Sequence, residues 1–97
     1  MTTRDEYVAK LQRQLDQWNA DIAVWESKAR AAQADAKKRF ELELGELRAQ
    51  REKALYNLRL LESASASAWA EVTHGADEAW ERMRAAIEKA RKHFEKA

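Results

Sequence analysis

A heptad seam in the first third of the chain constrains the fold most strongly. Eight apolar residues recur there at alternating spacings of four and three. This average of 3.5 residues keeps a narrow apolar line facing a partner helix, and a single helix would leave that line in water. The pattern therefore predicts a helix that packs against another helix. The seam consists of Leu11, Leu15, Trp18, Ile22, Trp25, Ala29, Ala32 and Ala36.

The composition is typical of long helices and excludes several classes of partner. Among 97 residues there is no Pro, there are only two Gly, and 36% of the residues are charged, with a net charge of +1. Because phosphate binding needs clustered, uncompensated Lys and Arg, we expect no nucleic-acid partner. The chain has no Cys, so it forms no disulfide and no thiolate metal site.

The hydropathy pattern predicts a cytoplasmic protein. No apolar run approaches the roughly 20 residues that a membrane-spanning helix needs. The segment from Met1 to Tyr7 has no basic region followed by an apolar run, so we expect no signal peptide.

The first predicted helix runs from about residue 4 to about residue 62. Thr3 and Glu6 have the spacing of a capping box, which predicts its start. Gly45 is its one weak point, at a cost of about 1 kcal/mol relative to Ala. Such a helix would be about 90 Å long at about 1.5 Å per residue. The alanines of residues 29–36 indicate either a close crossing of two copies or simply high helix propensity.

Two apolar stripes follow the second half of this helix, which predicts two partner helices for it. Arg51 interrupts the first stripe, and we expect its side chain to reach solvent or a carboxylate on the facing helix, or to determine register or partner choice. The first stripe consists of Phe40, Leu44, Leu47, Leu55 and Leu58. The second stripe, on the opposite side, consists of Leu42, Ala49, Tyr56 and Leu60.

A Ser-Ala segment at residues 63–67 predicts a hinge. Ser side chains compete for backbone hydrogen bonds, and no large apolar side chain anchors this stretch. The second predicted helix follows from about residue 68 to about residue 95, with its apolar side chains on one face. That face includes Trp69, Val72, Trp80, Met83, Ile87 and Phe94.

We therefore predict an all-α fold with one coiled-coil domain over residues 1–97. A long helix and a shorter one form a coiled-coil helical hairpin, whose core is the first stripe and the apolar face of the second helix. The second helix covers residues 36–62, so the seam is exposed in a monomer and becomes the oligomer interface. An antiparallel homodimer, in which each N-terminal half lies on the partner's hairpin, is favoured. A higher oligomer, or an unbroken helix through the Ser-Ala segment, uses many of the same contacts.

Few residues suggest chemistry. Glu71 and His74 have the Glu-x-x-His spacing of ligands in di-iron helical bundles, but that site needs a second copy of the motif and further inward Glu residues. A solvated face is the simpler interpretation. His93, near a helix end, predicts a surface capping role. We expect no enzyme activity, no metal and no cofactor.

The four Trp residues support an alternative function on lipid. Trp and Phe on an amphipathic helix bordered by Lys can rest on a membrane surface. Packing in a protein interior is the competing interpretation, because the Trp residues share a stripe with Val72, Met83 and Ile87. Acidic residues on the polar face also weaken the attraction to anionic lipid.

The chain resembles small bacterial coiled-coil proteins labelled stress-response proteins. The matching segments are Ser67-Ala-Trp-Ala-Glu-Val72, Ala79-Trp-Glu-Arg-Met83 and the opening Thr3-Arg-Asp-Glu-Tyr-Val-Ala-Lys-Leu-Gln-Arg-Gln-Leu-Asp-Gln-Trp-Asn-Ala-Asp-Ile22. Members carry Gly-Asp or Gly-Glu before the first Trp of the second helix, where this chain has residues 65–68 as Ser-Ala-Ser-Ala. The resemblance implies a stress-related bacterial setting and no catalytic residue. The second helix is also similar to the amphipathic repeats of exchangeable apolipoproteins.

The predicted function is that of a non-enzymatic, self-associating coiled-coil protein that works through structural or interaction surfaces. A peripheral lipid-binding protein is the alternative, and a metal-binding helical bundle is the second alternative.

Overall fold

The first helix, α1, spans Arg4–Ala31 in the computed structural model, which describes residues 3–95 of the chain. Its start is a capping box, as predicted. The Glu6 amide donates to Thr3 Oγ1 at 3.1 Å, and the Thr3 amide donates to the Glu6 carboxylate at 3.4 Å. These two bonds satisfy amides that have no partner inside the helix.

The prediction of one continuous helix over residues 4–62 is wrong, because α1 ends at Ala31. Ala32 (φ −75°, ψ 153°) and Gln33 (φ −79°, ψ 165°) are extended, and α2 then spans Ala34–Ser63. Neither Pro nor Gly lies at this break, so local propensity does not explain it. The reversal lets the apolar face of α1 pack on the rest of the same chain instead of remaining in water.

The Ser-Ala segment forms the second connection, and α3 follows it as Trp69–Glu95. The Ala68 amide donates to the Ser65 carbonyl at 3.1 Å and lies 3.2 Å from Ser65 Oγ. The Ser65 side chain thus supports the turn that leads into α3. The chain reverses direction here, so the helix does not continue through this segment.

Contacts between the helices define an up-down-up bundle of three helices rather than the predicted hairpin of two. The Trp18 and Trp80 rings, on α1 and α3, lie 5.9 Å apart. Glu26, near the end of α1, pairs at 2.6 Å with Arg48 in the first half of α2. The molecule measures 51 × 18 × 17 Å, much shorter than the predicted helix of about 90 Å.

The seam residues of α1 lie in the core of their own chain. Six of the eight are buried, and Ala32 and Ala36 are half-buried. The expectation that a monomer leaves the N-terminal half exposed is therefore wrong, because α2 and α3 together cover it. The buried six are Leu11, Leu15, Trp18, Ile22, Trp25 and Ala29.

The residues predicted for the hairpin core all lie in or against the same cluster. Phe94 links the three helices, because its ring stacks on Phe40 of α2 at 4.5 Å and on Trp25 of α1 at 5.5 Å. The half-buried members are Phe40, Leu55, Trp69 and Val72, and the buried members are Leu44, Leu47, Leu58, Trp80, Met83, Ile87 and Phe94.

Candidate interaction surface

The outer face of α2 carries an exposed apolar stripe, formed by the second set of residues seen in the sequence. Leu42 is 73% exposed and Tyr56 is 62% exposed, and Leu60 and Ala49 are also on the surface. Soluble proteins seldom leave an aligned row of large apolar side chains in water without a use for it. We call these four residues the α2 stripe.

The packing of α1 and α3 explains why the α2 stripe is exposed. Both helices lie on the opposite side of α2, where Leu44, Leu47 and Leu58 are buried. Arg48 pairs with α1 at one edge of that side, while Glu46 contacts Lys89 of α3 at 3.3 Å at the other edge. The two partner helices predicted for α2 thus share the first stripe, and none of the residues described in the structure covers the second.

The α2 stripe and two charged residues beside it together have the spacing of a second heptad seam. Positions 42, 46, 49, 53, 56 and 60 follow each other at spacings of four and three, with Glu46 and Lys53 between the apolar residues. Glu46 and Lys53 were not among the residues predicted for the stripe. Their heptad spacing and opposite charges were the signal that could have found them.

Gly45 leaves a notch beside the α2 stripe. A Cβ atom at this position would have no neighbour within 4 Å, so packing inside the chain does not require Gly here. A Gly inside a helix costs about 1 kcal/mol relative to Ala. Next to the small side chain of Ala49, it leaves the α2 backbone open to close approach from outside.

A groove at the end of the bundle where α1 connects to α2 adjoins the α2 stripe. It has a volume of about 590 Å³, and its lining includes Phe40 and Leu42 of α2. Its rim carries His93, whose Nδ1 lies 3.0 Å from the Glu43 carboxylate. His93 therefore bridges α3 to α2, whereas the sequence suggested a helix-capping role.

The opposite end of the bundle is held by polar contacts of α1. Arg4 donates to the Leu61 carbonyl at 3.2 Å, and its guanidinium lies 4.6 Å from the centre of the Trp69 ring. The Tyr7 hydroxyl donates to the Asp77 carboxylate. Burial first, and then this hydrogen bond and the negative charge of Asp77, raise the pKa of Tyr7 above its ordinary value.

The raised pKa of Tyr7 predicts a loss of stability in alkaline solution. Above about pH 10, the unfolded chain loses the tyrosine proton while the folded chain retains it. The free energy of unfolding therefore falls as the pH rises, because the folded state binds more protons. In the Tyr7→Phe variant we expect a shallower fall, measured by urea unfolding from about pH 9 to about pH 12. Tyr56→Phe, at a tyrosine without the Asp77 contact, is the control, and parallel curves for wild type and Tyr7→Phe would contradict the assignment.

The residues that suggested chemistry in the sequence lie on the surface and do not converge. Glu71 is exposed, and His74 Nε2 contacts Glu78 at 3.2 Å on the same helix. No group of three or more potential metal ligands comes together in residues 3–95. Arg51 is half-buried and donates to the Asn19 amide oxygen of α1 at 3.4 Å in a solvent-exposed contact.

Comparison with family models, with curated proteins and with solved structures finds no match for this chain. Within the described residues, no helix has a stretch long and apolar enough to cross a membrane. The exposed α2 stripe is the most distinctive feature of the described surface.

Proposed function

We propose that this chain is a non-catalytic interaction protein that binds a second copy of itself through the α2 stripe. The observation that supports the proposal is the exposed heptad seam on the outer face of α2. A second helix that packs on such a seam removes its apolar side chains from water. The resemblance to small bacterial coiled-coil proteins labelled stress-response proteins supports a stress-related role.

An antiparallel pairing of two α2 helices suits the seam. With a two-fold axis near Arg51, Leu42 of one copy lies opposite Leu60 of the other, and each Tyr56 ring faces the notch at Gly45. The large Tyr56 side chain then fits the space left by Gly45. The two-fold axis repeats this contact and the Leu42–Leu60 contact.

The charges of the seam favour the same direction. In a parallel pair each Lys53 would face the Lys53 of the second copy, and each Glu46 the other Glu46, which is repulsive. In the antiparallel pair Lys53 lies within about one helical turn of Glu46 of the second copy, which also contacts Lys89 of its own chain, so opposite charges meet. Charge complementarity thus selects a second copy in the antiparallel direction as the occupant of this surface.

Replacement of Tyr56 by Lys tests the proposal. We expect wild type to approach twice 11.2 kDa as its concentration rises, and Tyr56→Lys to dimerise at least tenfold more weakly. The reason is that each interface loses the two aromatic rings that face the notches at Gly45. Light scattering coupled to size-exclusion chromatography, over a range of concentrations, measures the effect.

Val24→Lys is the matched control for that experiment. Val24 is 55% exposed on α1 and stands alone, away from the α2 stripe. Its replacement should leave the dissociation constant unchanged. The proposal fails if wild type stays monomeric at every concentration, or if the two variants weaken the dimer equally.

Lipid binding is the second candidate function, and the aromatic face of α3 favours it. That face is covered in the bundle: Trp80 and Phe94 are buried, and only Trp69 at the start of α3 is half-buried. Contact with a membrane through these residues thus requires the bundle to open. Co-sedimentation with anionic vesicles at low salt that is insensitive to Tyr56→Lys would place the function on α3 instead of the α2 stripe.

A further inference from the structure

The connection between α1 and α2 opposes the local preference of the sequence. Residues 29–38 contain only Ala, Arg, Gln, Asp and Lys, most of which are good helix formers. Gln33 stands at the N-cap of α2 and makes no side-chain capping bond. An uncapped helix start in an alanine-rich segment is a weak interruption.

A small backbone change separates the observed break from a straight helix. The extended conformations of Ala32 and Gln33 are the whole of the connection. The Ala32 amide donates to the Ala29 carbonyl at 3.3 Å, and the bonding of α2 starts with the Lys37 amide and the Gln33 carbonyl at 2.8 Å. The amides between these two bonds lack the helical partners that a straight helix would provide.

The contacts that hold α1 in place do not depend on which chain supplies it. Glu26 pairs with Arg48 at 2.6 Å, and Asp21 pairs with Arg91 at 3.2 Å. Lys28 Nζ donates to a carbonyl of α3 at 3.3 Å. The groove formed by α2 and α3 would make the same contacts with an α1 helix from a second copy.

We infer that two copies of this chain exchange α1. The connection straightens, so that residues 4–63 form one helix, and each α1 occupies the groove between α2 and α3 of the other copy. In an antiparallel pair of straight helices, the two-fold axis lies midway in sequence between residues that contact each other. The midpoints of the pairs Asn19–Arg51 and Glu26–Arg48 are each within one residue of Ala36, so the axis of the exchanged dimer passes near Ala36.

The residues near that axis suit a crossing of two helices. Ala32 and Ala36 are the half-buried members of the seam, and their methyl side chains allow two helix axes to approach closely. The exchange leaves the α2 stripe on the outside of the molecule. It is therefore independent of the proposed function, and the two kinds of dimer respond to different variants.

Ala34→Pro separates the closed bundle from the exchanged dimer. Ala34 is the first residue of α2, where Pro is well tolerated, and the extended Gln33 suits a residue that precedes Pro. In a straight helix the ring would clash with the Arg30 carbonyl and remove a hydrogen bond. That penalty of about 3 kcal/mol lowers the equilibrium constant for forming the exchanged dimer more than a hundredfold for each chain.

The experiment refolds the chain from urea over a range of concentrations. We expect the chain with the unchanged connection and the control Ala34→Ser to form a dimer at high concentration, and Ala34→Pro to stay monomeric with the same helical circular dichroism spectrum. Gln33→Asp, which adds a capping carboxylate to α2, should also favour the monomer without Pro. All four proteins carry Tyr56→Lys, so that pairing through the α2 stripe does not contribute.

A cross-link identifies the source of α1 in the dimer. Because the chain has no Cys, the double variant Glu26→Cys/Arg48→Cys can be joined by a short thiol reagent at this pair alone. An exchanged dimer gives cross-links between chains, and a closed bundle gives them within one chain. The inference is overturned by cross-links confined to single chains, by a Tyr56→Lys protein with the unchanged connection that stays monomeric, or by Ala34→Pro dimerising as well as Ala34→Ser. None of these results affects dimerisation through the α2 stripe.

Discussion

Phe94→Ala should lower the free energy of unfolding by about 3–5 kcal/mol. Phe94 is fully buried, and its ring stacks on Trp25 of α1 and Phe40 of α2. Its removal leaves a cavity where all three helices meet, and no single neighbour can move to fill it. Because small domains have only about 5–15 kcal/mol of stability, this variant should be near the limit of folding.

Urea unfolding followed by circular dichroism measures that loss. Lys92→Ala, two residues earlier on the exposed side of α3, is the control and should change stability by less than about 0.5 kcal/mol. Phe94→Leu retains most of the apolar volume and should recover much of the loss. Equal stability of Phe94→Ala and Lys92→Ala would show that the end of α3 is not packed on α1 and α2.

Leu47→Asp should abolish cooperative folding. Leu47 is fully buried on the side of α2 that meets α1 and α3. A carboxylate there loses its hydration and finds no partner among the apolar side chains, at a cost comparable to the whole stability of a small domain. Thermal unfolding by circular dichroism should show a broad, shallow change instead of a sharp transition.

Leu42→Asp makes the same chemical change on the opposite side of the same helix. Leu42 is exposed, so its replacement should alter the stability of the monomer by no more than about 0.5 kcal/mol. Measured at a concentration where the chain is monomeric, the pair tests which face of α2 is buried. Similar losses in both variants would contradict the orientation of α2 in the bundle.

Local patterns in the sequence predicted the features that depend on near neighbours. Thr3 and Glu6 form the predicted capping box, and the expected all-helical structure is found in the described residues. The apolar faces also follow the sequence, because a period of 3.6 residues places Leu11, Leu15 and Trp18 on one side of α1. Each of these properties involves residues no more than a few positions apart.

The α2 stripe was recognised in the sequence, but its role was not. Two apolar faces on one helix indicate two sets of partners, and periodicity does not say which partners belong to the same chain. The structure places α1 and α3 on the first face and leaves Leu42 and Tyr56 exposed. The place of Glu46 and Lys53 in the outer heptad seam follows only from knowing which face of α2 is exposed.

The sequence by itself determined that this chain is helical, where its first helix starts, and which side of each helix is apolar. Only the tertiary structure decided that the chain reverses at Ala32 and Gln33, where nothing in the local sequence ends a helix. The physical reason is that burying the face of α1 against α2 and α3 is a sum of contacts between residues far apart in the chain. The free energy gained from these contacts exceeds the small local cost of interrupting a helix. A window of a few residues does not include the contacting partners, so the break is not predictable from it.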